Sequence, residues 1–144
     1  MKTLIEITPT IEWNNGKVRL IDQTKLPLEE KYIETDDYRV VCDAIYRLAI
    51  RGAPAIGVAG AYACVLAANE IEATEQSDFV NRYLQKADKI GSTRPTAVNL
   101  MWAVKQMKYR ATSFSGNVAE LKIALLDLAH EIRDDDLERC HNLG

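Results

Sequence analysis

One short stretch between two helical patterns organises the rest of this chain: Arg51-Gly52-Ala53-Pro54-Ala55-Ile56-Gly57. Gly52 can end the preceding helix, because glycine adopts a positive φ without steric cost. Pro54 suits the first turn of the following helix, where its missing N–H leaves no hydrogen bond unmade. The free N–H groups at the start of that helix and the Arg51 guanidinium group together predict a site for a phosphate or a carboxylate. The alternative is a tight helix–turn–helix with a solvated Arg51.

A second motif later in the chain repeats this arrangement. Gly91 is expected to end a helix, Arg94 follows, and Pro95 can start the next helix. If the two helix starts converge, they offer two guanidinium groups and several backbone N–H donors, which suits a phosphate dianion. Thr96 and Asn99 can add neutral donors, although each is more simply a cap or an exposed polar residue. The alternative for the pair is two unrelated surface arginines.

The helices that follow these motifs are predicted to be buried. The helix over residues 54–69 has alanine at positions 55, 59, 63 and 67, with Gly57 and Gly60 nearby. Such small residues allow a second backbone to approach closely, whereas paired glycines would only weaken a surface helix, by ~1 kcal/mol each relative to alanine. The helix over residues 95–110 is apolar almost all round, so it too is predicted to be buried.

The remaining patterns predict an α+β fold in one domain: a small antiparallel β meander over residues 1–36, then a helical bundle over residues 37–144. Alternating apolar residues predict strands at 5–7, 11–13, 18–22 and 31–35, with Asn15-Gly16 as a hairpin turn. Further helices are predicted from residue 38 to Gly52, over residues 79–90 with Ser77 or Asp78 as the cap, and after a capping box of Asn117 and Glu120. The acidic run at residues 134–136 is predicted to interrupt that last helix, with a further helical piece over residues 137–144.

Composition excludes several classes of function. The net charge is −3 with both signs mixed along the chain, so no basic stripe predicts nucleic-acid binding. No apolar run approaches the ~20 residues of a membrane span, and the start lacks the apolar core of a signal peptide. Three cysteines without metal-ligand spacing (Cys42, Cys64, Cys140) predict free thiols in a reducing cytoplasm, and two histidines argue against a metal site.

No catalytic constellation emerges from the residues. Cys140 and His141 are adjacent, and neighbours on a helix point about 100° apart, so they do not form a nucleophile–base pair. The three aspartates at 134–136 are interpreted as solvated, and Trp13 and Trp102 as core residues rather than ligand platforms. The sequence therefore predicts an anion-binding site without an evident acid, base or nucleophile.

The two arginine motifs carry a family resemblance. Ile50-Arg51-Gly52-Ala53-Pro54-Ala55-Ile56-Gly57-Val58-Ala59, followed by Thr93-Arg94-Pro95-Thr96-Ala97-Val98-Asn99-Leu100, resembles the methylthioribose-1-phosphate isomerases. Those enzymes share a family with the alpha, beta and delta regulatory subunits of translation initiation factor 2B. The resemblance implies an aldose–ketose isomerase that converts 5-methylthioribose 1-phosphate to 5-methylthioribulose 1-phosphate in methionine salvage. It also implies a cytoplasmic protein with no metal or organic cofactor.

The resemblance further implies that Arg51, Gly52, Ala53 and Arg94 bind the phosphosugar substrate, and that the full-length protein is a homodimer without nucleic-acid or membrane partners. Family members are longer, and their catalytic cysteine and aspartate lie in a Rossmann-like C-terminal domain that this sequence lacks. We therefore expect the chain to be the N-terminal domain, with no catalytic residue, weak substrate binding and no turnover alone. The alternatives are a ribose-bisphosphate isomerase, a non-catalytic regulatory subunit of the initiation-factor type, and a helical interaction module.

Overall fold

A computed structural model describes residues 11–14, 16–21, 32–46, 53–94 and 97–143. These residues form a three-stranded antiparallel sheet followed by five helices, which confirms the α+β class. The strands are β1 (Ile11–Asn14), β2 (Lys17–Ile21) and β3 (Tyr32–Thr35), and the helices are α1 (Tyr38–Tyr46), α2 (Ala53–Glu70), α3 (Gln76–Gly91), α4 (Val98–Ser113) and α5 (Val118–Leu143). The strand predicted at residues 5–7 lies outside the described residues, and the division into 1–36 and 37–144 stays a prediction.

The sheet is a simple meander in the order β1-β2-β3. Asn14 pairs with Lys17, so only two residues form the turn, and Gly16 has φ 86°, which a side chain would disfavour. Ile11 and Val18 are buried. Because Val18 lies opposite Trp13, two residues from Ile11, these three side chains share the face that packs on the helices.

Helix α2 is the centre of the bundle, as its small residues predict. All of residues 56–68 are buried, because the other four helices pack around α2. The sheet packs on it through β1 and β2. Within the described ranges, none of the helices combines the length and the apolar character that a bilayer-crossing segment needs.

Helix α4 differs from its prediction in two respects. It begins at Val98 rather than Pro95, which lies outside the described residues. It is also buried on one face only: Val98 is 74% exposed, Met101 51% and Trp102 46%. The buried face consists of the residues that point toward α2, α3 and α5: Leu100, Ala103, Val104, Met107 and Ala111. The prediction of burial all round was wrong, because an apolar residue contributes to a core only where another element covers it.

Helix α5 is continuous through the acidic run, so the predicted interruption was wrong. Asp134 pairs with Arg133 in the same helix, and a modest loss of helix propensity does not end a packed helix. The predicted capping box is confirmed: the N–H of Glu120 donates to Asn117 Oδ1 at 2.8 Å, and the N–H of Asn117 donates to Glu120 Oε1 at 3.1 Å.

Helix α3 begins earlier than predicted, at Gln76, and its N-cap residue Glu75 makes no side-chain hydrogen bond to the helix. The predicted caps were therefore wrong. Asp78 lies inside the first turn and accepts a hydrogen bond from Arg82 one turn later, at 3.3 Å. A carboxylate in the first turn is stabilised by the helix dipole without capping it.

Candidate functional site

The starts of α2 and α4 lie together at one end of the bundle. A Cβ atom built on Gly57, in α2, would lie 3.0 Å from the backbone oxygen of Asn99, in the first turn of α4. Farther along both helices, a Cβ atom on Gly60 would overlap the side chain of Leu100 and lie 4.0 Å from Val104. The two helices therefore run side by side in the same direction, and the glycines allow this close approach.

This contact brings together two sets of backbone N–H groups. α2 starts at Ala53, four residues before Gly57, and α4 starts at Val98, one residue before Asn99. At about 1.5 Å per residue, both starts lie within roughly one or two helical turns of the contact. The first N–H groups of a helix have no partner within it and carry partial positive charge. This is the arrangement that the two arginine motifs predict.

The structure describes two of the four predicted substrate contacts. Ala53 is the first residue of α2, and Arg94 lies in the connection between α3 and α4. Arg51 and Gly52 lie outside the described residues, as does Thr96. The geometry of the site therefore rests on Arg94 and on the two helix starts.

Hydrogen bonds hold the backbone on both sides of Arg94. The N–H of Thr93 donates to the carbonyl oxygen of Ile90, at 3.2 Å, and its hydroxyl group donates to the carbonyl oxygen of Lys89, at 3.3 Å. On the other side, the N–H of Ala97 donates to the carbonyl oxygen of Arg94, at 2.9 Å. The Cα position of Arg94 is thus fixed relative to both α3 and α4.

The side chain of Arg94 is half-buried, and within the described ranges it makes no hydrogen bond or ion pair. Three other described arginines, Arg39, Arg82 and Arg133, have carboxylate partners, whereas Arg110 on α4 is half-buried and, like Arg94, has none among the described residues. Arg39 donates to both carboxylate oxygens of Glu70, at 3.2 Å each, and Arg133 donates to Asp134, at 2.9 Å. A guanidinium group removed from water without a counter-charge is unfavourable, so an anion at Arg94 would stabilise it.

Cys42 of α1 lies near the same connection, where the side chain of Thr93 acts on its thiol group. Burial raises the pKa of the Cys42 thiol, and the side chain of Thr93 acts in the opposite direction. A thiol with a raised pKa is protonated at neutral pH and is a poor nucleophile. Cys42 is therefore not a candidate catalytic group.

Among the described side chains, the remaining sequence candidates do not assemble into a catalytic site. Cys140 and His141 lie in α5, and their side chains are outside the described residues. Asp134 is paired with Arg133. In the described part of the chain, no three potential metal ligands cluster together. Trp102 is exposed on α4 rather than buried in the core.

One polar cluster was not predicted from the sequence. The ring of Trp13 stacks on Tyr62, with centroids 5.5 Å apart, and the ring of His130 meets both edge-on. The Tyr62 hydroxyl lies 2.8 Å from His130 Nδ1. Burial raises the pKa of Tyr62 to about 12, and burial together with the charge of Arg133 lowers the pKa of His130. In their hydrogen bond, the Tyr62 hydroxyl group therefore donates to the neutral imidazole ring of His130. The only sequence signal is that Tyr62 interrupts the small residues of α2.

Comparison with known proteins identifies what this arrangement is similar to. The Initiation factor 2 subunit family matches residues 49–144. Methylthioribose-1-phosphate isomerase from Desulforamulus reducens is 43% identical over 135 residues, which are 93% of this chain and 39% of that protein. The protein of the same name from Dehalococcoides mccartyi (strain CBDB1) is 48% identical over 134 residues, which are 93% of this chain and 40% of that protein.

Two solved structures resemble the fold. The crystal structure of 5-methylthioribose 1-phosphate isomerase from Pyrococcus horikoshii OT3 has a TM-score of 0.86 and 31% identity, over 94% of this chain and 38% of that one. The crystal structure of translation initiation factor eIF-2B, subunit delta, from A. fulgidus has a TM-score of 0.83 and 40% identity, over 90% and 37%. The chain thus spans about two fifths of the length of the relatives that it matches.

Proposed function

This chain belongs to the Initiation factor 2 subunit family, and we propose that it is the substrate-binding portion of an isomerase in that family. The proposed reaction converts 5-methylthioribose 1-phosphate to 5-methylthioribulose 1-phosphate, as the names of the curated relatives suggest. Arg51, Gly52, Ala53 and Arg94 are the proposed contacts to the phosphosugar.

A single observation carries this proposal: Arg94 is half-buried, has no partner among the described residues, and lies beside two converging helix starts. A phosphate dianion has the charge to compensate the guanidinium group and the oxygens to accept both its N–H groups and those of the helix starts. A structural carboxylate would need fewer donors than this site offers. The same end of α2 carries Arg51 and Gly52 in the sequence, so a second guanidinium group is proposed to complete the phosphate site.

Recognition and reaction are separate tasks in this proposal. The anomeric oxygen of the substrate is phosphorylated, so its ring cannot open as that of a free aldose does, and the enzyme must assist the opening and then move hydrogen from C2 to C1. The groups that do this are proposed to come from polypeptide outside these 144 residues. Firm binding of the phosphate holds the reacting carbons in a fixed position, which is a large part of the catalytic advantage in such a reaction.

The direct test is calorimetric titration of the chain with 5-methylthioribose 1-phosphate. We expect Arg94→Ala to weaken binding about ten- to hundredfold, because a charge-assisted hydrogen bond contributes roughly 1.5–3 kcal/mol. Arg110→Ala is the matched control, since Arg110 lies in the last turn of α4, about 18 Å from the start of that helix. Equal affinity of Arg94→Ala and the wild type would refute the proposed role of Arg94.

The identity of the sugar is tested in the same titration. Ribose 1,5-bisphosphate carries a second phosphate in place of the methylthio group. If it binds more tightly than 5-methylthioribose 1-phosphate, the chain belongs to a ribose-bisphosphate isomerase instead. The 144-residue chain alone is expected to show no isomerisation, which a coupled assay for the ketose product checks.

A regulatory function is the second candidate, and one observation favours it: the subunit-delta structure is 40% identical to this chain, against 31% for the isomerase structure. A regulatory subunit would not need a phosphosugar site. Absence of any phosphosugar binding, together with association of the chain with initiation factor 2, would favour this candidate over the isomerase.

The proposed setting follows from the same function. Methionine salvage takes place in the cytoplasm, so we place the protein there, without a membrane or nucleic-acid partner and without a metal or organic cofactor. In the complete protein we propose a homodimer. Sedimentation of a protein with the full length of the relatives would test that assembly.

A further inference from the structure

Three exposed apolar side chains lie close together on α4. Val98, Met101 and Trp102 follow one another at the spacing of a single helix face, and they are 74%, 51% and 46% exposed. Exposed apolar residues are ordinary when scattered, whereas three on one face call for an explanation. Their face is not covered by any of the residues that the structure describes.

These side chains form one wall of a concave groove between α3 and α4. The groove has a volume of about 710 Å³, and its other wall is formed by Asp88 and Gly91 of α3 together with Ser92, which follows that helix. Pockets that hold small molecules commonly measure ~300–1,000 Å³ and combine apolar walls with a few polar groups. The lack of a side chain at Gly91 keeps the groove open next to Val104, which forms its floor.

The rim of the groove carries more positive than negative charge. Lys108 donates to Asp88 across the groove, so this pair is compensated. Lys105 lies on the same wall as Trp102, is exposed, and pairs with none of the described residues. The groove therefore offers a flat aromatic surface, a flexible thioether at Met101 and one uncompensated cation.

We propose that the groove between α3 and α4 binds a small organic anion with a flat apolar body and a single acidic group. The apolar body would lie against Trp102 and Met101, and the acidic group would accept hydrogen bonds from the Lys105 ammonium group. The groove adjoins the proposed phosphosugar site, because Ser92 and Val98 line it on either side of Arg94, and Val98 is the first residue of α4. Arg94 itself does not line the groove, and the two are proposed as neighbouring but separate sites.

The test uses the 144-residue chain and the probe 8-anilinonaphthalene-1-sulfonate, an aromatic molecule with a single sulfonate. We expect one equivalent to bind with quenching of Trp102 fluorescence, measured with Trp13 replaced by phenylalanine. Lys105→Gln should weaken binding about two- to fivefold, as expected for an exposed ion pair, and that difference should shrink in 1 M salt.

Two further variants separate the groove from its surroundings, with probe fluorescence as the readout. Val98→Glu adds a negative charge at an exposed position in the groove. The variant should fold, because a negative charge at a helix start is stabilised by the helix dipole. It should bind the probe at least about tenfold more weakly, because the new carboxylate repels the sulfonate. Tyr109→Ala is the matched control, because Tyr109 is 70% exposed on the same helix but does not line the groove. The control should bind as the wild type does.

Two results would overturn the proposal. One is that Val98→Glu and Tyr109→Ala bind the probe with equal affinity. The other is a concentration-dependent dimer, seen by sedimentation, that Val98→Glu dissolves, because the groove would then be a docking surface for a second copy. Retention of probe binding in Arg94→Ala supports the separation from the phosphosugar site, and its loss would overturn that separation.

Discussion

Replacing Gly60 by alanine is expected to destabilise the protein, although alanine is the better helix former. Gly60 lies in the buried middle of α2, and its added Cβ would overlap the side chain of Leu100 on α4. Leu100 is itself fully buried, so it has little room to move aside. The same substitution at Gly91, at the end of α3, is a matched control, because its Cβ would lie at an ordinary 3.6 Å from Val104 Cγ1.

The expected magnitudes follow from two opposing terms. Alanine in a helix interior gains up to ~1 kcal/mol over glycine. Overpacking a tight core by one or more carbons costs typically ~1–3 kcal/mol. For Gly60→Ala the second term is expected to prevail, with a net loss of up to about 2 kcal/mol. For Gly91→Ala only the gain applies, reduced because the residue is at the helix end. The two variants should therefore differ by roughly 1–3 kcal/mol.

Urea unfolding followed by circular dichroism at 222 nm measures both variants. The midpoint should fall for Gly60→Ala and stay equal or rise for Gly91→Ala, with an unchanged slope in each case. In a thermal scan, each 1 kcal/mol corresponds to about 2–4 °C for a chain of this size. If Gly60→Ala is as stable as Gly91→Ala, then α2 and α4 do not approach closely, and the convergence of their helix starts is wrong as well.

Three further predictions concern the described residues. Because the pKa of His130 is lowered in the folded protein, the unfolded chain binds protons more readily. The free energy of unfolding should therefore fall as the pH drops below about 6.5. Urea titrations at pH 8 and pH 5 measure this decrease, which His130→Gln should make smaller. Asn117→Ala removes a helix cap and should lower stability by ~1 kcal/mol in thermal unfolding, whereas Asn117→Ser should restore most of it. Burial raises the pKa of Cys64 to about 12, so a thiol reagent at pH 8 should label this residue only after unfolding. Mass spectrometry measures the labelling, and a labelled Cys64 in the folded protein would contradict the prediction.

Much of the fold was predictable because it rests on local rules. Asn15-Gly16 predicted the hairpin, and Gly16 has the positive φ that such a turn requires. Asn117 and Glu120 predicted the start of α5, where both reciprocal hydrogen bonds form. The glycines of α2 predicted a close helix–helix contact, which the structure places at α4. Each of these signals depends on a few neighbouring residues, so it can be read from the chain.

Two predictions that depended on distant partners were wrong. α4 was predicted to be buried all round, but composition does not tell which face another helix covers, and Trp102 lies on an uncovered face. The run at residues 134–136 was predicted to interrupt α5, but packing and the pair of Arg133 with Asp134 outweigh a weak local preference. The cluster of Trp13, Tyr62 and His130 joins three elements that are far apart in sequence, so no local pattern indicates it.

The sequence by itself determined the α+β class, the order of strands and helices, and the two arginine motifs, because turns, caps and apolar periodicity act over a few residues. Only the tertiary structure decided that the starts of α2 and α4 meet and that Arg94 is half-buried with no counter-charge among the residues it describes. The physical reason is that burial and charge compensation depend on what else occupies the surrounding space. A pattern can place a guanidinium group beside a helix start, but only the packed chain shows whether another residue neutralises it.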